Sequence, residues 1–139
     1  MTRLYVLAAF IVMTSAAFAQ APWPTKPVRV IVPSPPGGGT DTTGRFLAAQ
    51  FTAALGTNFI VDNRGGASGV IGYQLAARSP ADGYTLLVAP SSMTTVHLLT
   101  RDPGFDVVRD FAPITQVVEI PQVVVVHPTL AARTLQELR

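Results

Sequence analysis

Glycine, serine and threonine residues are concentrated in three short stretches that together could bind an anion. The stretches are residues 36–40 (PGGGT), 65–69 (GGASG) and 90–92 (PSS). Glycine lets a ligand approach the backbone closely, and free N–H groups at helix N-termini attract negative charge. This pattern is typical of a carboxylate site held by neutral hydrogen bonds, in part through water. We therefore predict ligand contacts from Pro36, Gly37, Gly38, Gly39, Thr40, Ala67, Ser68, Gly69, Ser91 and Ser92.

Each of these stretches lies between an apolar run and a helical pattern. Residues 28–32 (VRVIV), 59–61 (FIV) and 84–89 (YTLLVA) have the β-branched, apolar composition of strands buried in a parallel sheet. We predict helices over residues 42–55, 70–78 and 93–99, the first capped by Thr40 or Asp41 and closed by Gly56. Strand–helix alternation predicts an α/β fold of right-handed βαβ units, in which the three stretches meet at the carboxyl edge of the sheet.

Further elements are predicted from shorter patterns. Residues 114–118 and 123–126 are apolar and indicate two more strands. In the first helix, the spacing of Leu47, Phe51, Ala54 and Leu55 predicts an apolar stripe that faces the sheet. Asp41 would repel an anion if its side chain faced the ligand, so a structural role at the helix start is the stronger expectation.

Motifs for catalysis and for cofactor binding are incomplete. A dinucleotide fingerprint beginning at Gly37 would need glycine where Thr42 stands, although Asp62 follows the second strand, where a ribose-binding acid would be. A phosphate-binding loop beginning at Gly39 would need Lys and Ser or Thr where Arg45 and Phe46 stand. The chain has no Cys and only two His. We predict no catalytic residue, no metal and no cofactor.

The composition excludes several other classes of protein. The 139 residues are 48% apolar and only 13% charged, which is not the composition of a disordered chain. Ten basic and eight acidic residues leave a net charge of +2, too little for the basic field that nucleic acids need. We therefore predict no nucleic-acid partner.

The N-terminus has the three parts of a secretory signal. Arg3 precedes the apolar run of residues 4–13, and Ala17 and Ala19 form a small-x-small cleavage site. The run is shorter than the roughly 20 apolar residues of a membrane-spanning helix. We predict that residues 1–19 are a cleaved signal peptide and that the mature chain is exported to the periplasm without direct membrane insertion.

Several motifs, in order along the chain, resemble one family of periplasmic receptors. VPSPPGGGTD (residues 32–41), VDNR (61–64), PADGYTLL (80–87) and LQEL (135–138) are similar to the Bug family, the substrate-binding proteins of tripartite tricarboxylate transporters. The resemblance implies a type II periplasmic-binding-protein fold and a receptor rather than an enzyme. It also implies a small di- or tricarboxylate or amino acid as ligand and a membrane permease as partner. The positions matching the family's carboxylate-binding loops are Pro36, Gly37, Gly38 and Ser91.

The resemblance also implies a domain division. We expect residues 20–122 to form the first α/β lobe, in incomplete form, and residues 123–139 to be the crossover strand and the start of a second lobe. Thr134 and Glu137 have the spacing of a capping box, which predicts a helix there and a longer parent protein. Two alternatives remain open from the residues alone: an exported α/β nucleotide-binding enzyme that uses Asp62, and a purely structural exported domain.

Overall fold

A computed structural model describes residues 22–121 and 123–138. The predicted signal peptide therefore lies outside the described residues. Within them, no helix has the length and apolar character needed to cross a membrane.

Three parallel strands form the sheet that was predicted. They are β1 (Val28–Val32), β2 (Phe59–Asn63) and β3 (Thr85–Leu87), in the order β2-β1-β3. Val30 of β1 is aligned with Val61 of β2 and with Leu86 of β3. The valine and isoleucine side chains of β1 are at most 2% exposed, because a central parallel strand is covered on both faces. The predicted α/β class, an incomplete lobe with a parallel sheet, is confirmed.

The helices pack on opposite faces of this sheet. They are α1 (Gly39–Leu55), α2 (Val70–Ala77) and α3 (Val96–Leu99), and short 3-10 turns, Ala67–Gly69 and Ser91–Thr95, precede α2 and α3. Val30 packs with Ala48 of α1, whereas Leu87 packs with Val70 of α2. Since Leu87 is aligned with Ile31, the residue after Val30, alternation along the strands places the two clusters on opposite faces.

The beginning and the buried face of α1 differ from the prediction. The N-cap is Gly38 rather than Thr40 or Asp41, and the helix ends before Gly56, whose φ of 68° is left-handed as predicted. The buried residues of α1 are Asp41, Gly44 and Ala48, whereas Phe51 and Leu55 are partly exposed. Because glycine and alanine are small, the helix lies close to the sheet. The larger side chains of the predicted stripe lie at the margin of this helix–sheet contact.

The two additional strands are not present in the described residues. Residues 114–118 and 123–126 have no regular structure there, and Ile114 and Val123 are 81% and 79% exposed. A strand needs a neighbouring strand to pair its backbone groups, and neither segment joins the three-stranded sheet. At the predicted capping box, Thr134 Oγ1 accepts a 3.4 Å hydrogen bond from the Glu137 N–H, but residues 135–138 form a turn rather than a helix.

Candidate functional site

A cavity of about 450 Å³ opens at the carboxyl ends of the strands. Its walls come from the loop after β1, the loop between β2 and α2, and the loop after β3, so the three predicted stretches do meet at one edge of the sheet. The lining residues are Pro33, Ser34, Pro35, Thr40, Gly66, Ser68, Gly69, Tyr73, Pro90 and Ser92.

Four of the predicted ligand residues line this cavity, and six do not. Thr40, Ser68, Gly69 and Ser92 are lining residues. The other six belong to the same loops or to their continuations but are not among the lining residues: Pro36, Gly37, Gly38, Gly39, Ala67 and Ser91.

Sequence reasoning missed six residues that line the cavity: Pro33, Ser34, Pro35, Gly66, Tyr73 and Pro90. The Oγ of Ser34 is buried with no hydrogen-bond partner among the described residues. Tyr73 stands four residues after Gly69, at the spacing that places two residues one helical turn apart. Helical side chains tilt toward the N-terminus. This spacing was therefore a usable signal that the Tyr73 side chain would reach the start of α2.

Asp41 is a buried structural carboxylate beside the cavity. It is 3% exposed, and its Oδ2 accepts hydrogen bonds from the Gly37 N–H (2.8 Å) and from Arg45 Nε (3.0 Å). Its Oδ1 accepts one from Asn63 Nδ2 at 2.8 Å. The Gly37 hydrogen bond, followed by those of Arg45 and Asn63, lowers the pKa of Asp41 to about 2. The expected structural role of Asp41 is confirmed.

These contacts connect the first two loops. Asn63 Nδ2 also donates to the Ser34 carbonyl oxygen at 3.2 Å, and Arg45 Nη2 donates to Asn63 Oδ1 at 3.0 Å. The end of β2 is therefore tied both to the loop after β1 and to α1. The Gly37 N–H donates to Asp41 and is therefore not free for a ligand, in contrast to the prediction.

The remaining donors at the start of α1 are available. In the described part of the chain, the N–H groups of Gly38, Gly39 and Thr40 have no hydrogen-bond acceptor, as expected for the first turn of a helix. None of the residues that line the cavity is charged. Arg64 belongs to the loop between β2 and α2 but is paired with Asp62, and Arg45 is paired with Asp41. A negatively charged group in the cavity would therefore be held by neutral donors.

The second loop has an unusual backbone conformation. Gly66, Ala67, Ser68 and Gly69 all have positive φ, with values of 116°, 47°, 57° and 91°. The left-handed region costs a residue with a side chain on the order of 1 kcal/mol, so Ala67 and Ser68 are strained. The turn is closed by the Gly69 N–H, which donates to the Gly66 carbonyl oxygen at 2.9 Å. This conformation brings Ser68 and Gly69 to the cavity wall.

Asp62 lies outside the cavity. Arg29 and Arg64 both donate to its carboxylate. Burial raises the pKa of Asp62, but the hydrogen bonds from the two arginines outweigh it and lower the pKa overall. Asp62 therefore serves an ion-pair cluster on the sheet and is not placed among the three loops, as the nucleotide-binding alternative would require. The residues that the structure describes contain no group of three or more side chains able to hold a metal ion.

Sequence comparisons identify similar proteins. Residues 43–139 match the profile of the tripartite tricarboxylate transporter family receptor. The chain is 38% identical to protein BugT of Bordetella pertussis over 143 aligned positions, which cover 99% of this chain and 44% of BugT. It is 31% identical to a protein from the ttuE-ttuC' intergenic region of Agrobacterium vitis, covering 96% of this chain and 38% of that protein. The chain thus spans less than half the length of these relatives.

Structure comparisons find partial matches. An R. palustris protein solved with adipate is 44% identical, with a TM-score of 0.47, over 48% of this chain and 22% of that chain. The periplasmic binding protein BugD is 43% identical, with a TM-score of 0.45, over 47% of this chain and 22% of that chain.

Proposed function

Because the chain belongs to the tripartite tricarboxylate transporter receptor family, whose members are periplasmic solute-binding proteins rather than enzymes, we propose that it is the carboxylate-binding lobe of such a receptor. The ligand class is a small di- or tricarboxylate or an amino acid. One observation carries the proposal: three loops meet at one cavity at the carboxyl edge of a parallel sheet, and every residue that lines the cavity is uncharged.

The free N–H group of Thr40, which lines the cavity, supplies the first donor for one carboxylate of the ligand. Gly38 and Gly39 precede Thr40 at the start of the same helix, and their free N–H groups add to the positive end of its dipole. Hydroxyl groups from the lining residues Thr40, Ser68 and Ser92 supply others, directly or through water. Asp41 does not oppose the ligand strongly, because Arg45 neutralises it and its oxygens already accept hydrogen bonds. The site thus holds a charged carboxylate through uncharged N–H and O–H donors.

The proposal includes the domain division and the partner. Residues 1–19 are a cleaved signal, residues 20–122 form the first lobe, and residues 123–139 lead toward a second lobe. The similar protein BugT is more than twice as long as this chain, which leaves room for a second lobe. In the longer protein, hinge closure would enclose the ligand and present it to a membrane permease. A single lobe cannot bury most of a ligand's surface, so this chain should bind its ligand more weakly than a two-lobed receptor does.

Titration with adipate, followed residue by residue by NMR, tests the proposal, because NMR detects weak binding. Adipate should shift the amide resonances of Gly38, Gly39 and Thr40, together with those of Ser68 and Ser92, along saturable curves. The uncharged diol of the same chain length is the matched control ligand and should leave these resonances in place. Equal shifts with the diol, or adipate shifts confined to residues away from the cavity, would overturn the proposal.

A further inference from the structure

We propose that Asn63 is a positioning residue of the binding site, whose side-chain amide holds both ends of the glycine-rich loop after β1 and thereby fixes the Thr40 N–H at the cavity. This inference rests on the proposed function and adds to it a residue that does not itself line the cavity. Three features support it: the place of Asn63 at the edge of the sheet, the pairing of its amide group and the loop that it closes.

Asn63 stands where the first two strands end. It is the last residue of β2 and is aligned with Val32, the last residue of β1. Side chains alternate between the two faces of a strand, and Val61, two residues earlier, packs against the cluster that contains Ala48 of α1. The half-buried Asn63 side chain therefore lies on the face of the sheet that α1 covers.

The amide group of Asn63 has partners on both of its ends. Nδ2 donates to the Ser34 carbonyl oxygen at 3.2 Å and to Asp41 Oδ1 at 2.8 Å, so both of its protons are used. Oδ1 accepts from Arg45 Nη2 at 3.0 Å. A reversed amide would place its oxygen against a carbonyl oxygen and an ionised carboxylate, which cannot donate, and its nitrogen against a guanidinium group, which cannot accept. These contacts therefore fix the orientation of the amide.

The two acceptors of Nδ2 lie at opposite ends of the glycine-rich loop. Ser34 is two residues past the end of β1, and Asp41 is in the first turn of α1. Residues 35–38 between them have no regular structure, and glycine has more backbone freedom than any other residue. The Gly37 N–H, which donates to Asp41 Oδ2 at 2.8 Å, closes the loop on the same carboxylate. One side chain from β2 thus joins the two ends of a segment that would otherwise be flexible.

The loop that is closed in this way carries a donor of the site. Thr40 lines the cavity, and its N–H has no acceptor in the described part of the chain. Because Thr40 directly precedes Asp41, the contact that holds the Asp41 carboxylate also restrains the Thr40 backbone. A donor that is already in place spares the ligand the entropy of ordering the loop. Without the amide, each ligand molecule would have to order residues 35–40 before Thr40 could bind it.

Adipate titration by NMR, with urea unfolding of each variant, tests the inference by separating affinity from stability. Asn63→Ala removes the amide group and should weaken adipate binding about two- to tenfold, the range for ordering one flexible group on binding. Since the Asn63 hydrogen bond helps to lower the pKa of Asp41, the variant should also raise that pKa, measured at the Asp41 carboxyl carbon. Asn63→Ser is polar but too short to reach both acceptors, so it should weaken binding to the same degree and serves if the alanine variant does not fold.

The matched control is Thr52→Val, which also breaks a contact between α1 and β2. Thr52 Oγ1 accepts a hydrogen bond from the Phe59 N–H at 3.0 Å, at the end of β2 away from the cavity. Its loss should lower the free energy of unfolding but leave adipate affinity unchanged. Unchanged affinity in the Asn63 variants, or an equal loss of affinity in Thr52→Val, would refute the positioning role of Asn63 while leaving the proposed function intact. No response of the unmodified chain to adipate would overturn both.

Discussion

A methyl group added at Gly72 would test how closely α2 must approach the ends of β1 and β2. Gly72 is buried in the first turn of α2. A Cβ atom there would lie 2.8 Å from the Arg64 carbonyl oxygen, 2.8 Å from Pro33 Cβ and 2.9 Å from Pro33 Cα. Two of these three atoms are backbone and the third belongs to a rigid ring, so none can rotate away. Gly72→Ala must therefore displace the helix from the loops that it supports.

The expected change in the free energy of unfolding follows from two opposing effects of Gly72→Ala. Alanine favours a helix over glycine by about 1 kcal/mol, whereas overpacking costs about 1–3 kcal/mol. Three rigid contacts under 3.0 Å place Gly72→Ala at the upper end of that cost. The free energy of unfolding should therefore fall by about 2 kcal/mol, which lowers Tm by roughly 10 °C in a domain of this size.

Thermal and urea unfolding, followed by circular dichroism, would measure this change. The matched control is Gly39→Ala, because a Cβ atom on Gly39, also in the first turn of a helix, would meet nothing within 4 Å. That variant should stay within about 0.5 kcal/mol of the unmodified protein. If Gly72→Ala were as stable as Gly39→Ala, the close approach of α2 would not be a constraint and the reasoning would fail.

Two further predictions concern Asp41 and the N-terminus. The pKa of Asp41 is lowered from 3.8 to about 2, so its ionised form stabilises the fold above about pH 4 and this contribution is lost as the pH falls toward 2. In urea unfolding, Asp41→Asn should be less stable than the unmodified protein above about pH 4, and this difference in the free energy of unfolding should shrink as the pH falls toward 2. A difference that does not change with pH would contradict the assignment. In a secreting host, the exported chain should begin at Gln20 by intact mass. Ala19→Phe should block that cleavage, whereas Ala16→Phe should not.

Local sequence patterns were sufficient to predict the main strands and helices of this protein. β1 occupies the predicted residues 28–32, and α2 begins at the predicted Val70. Gly56 closes α1 in the predicted left-handed conformation. Apolar β-branched runs and glycine punctuation act through neighbouring residues, so they can be interpreted without knowledge of the fold. The meeting of the three donor-rich loops followed from the same patterns, because parallel strands place their carboxyl ends at one edge.

Contacts between distant residues decided the rest. Asn63 holds Asp41 from 22 positions away, and Asp41 in turn occupies the Gly37 N–H that composition alone offers to a ligand. Whether residues 123–126 form a strand depends on a neighbouring strand rather than on their own composition. The spacing of Tyr73 from Gly69 indicates which loop its side chain reaches, but its packing on Phe105 depends on the tertiary fold. The sequence thus determined which segments can be strands, helices and donor loops, whereas tertiary packing decided which donors remain free, since a hydrogen bond depends on where both partners finally lie.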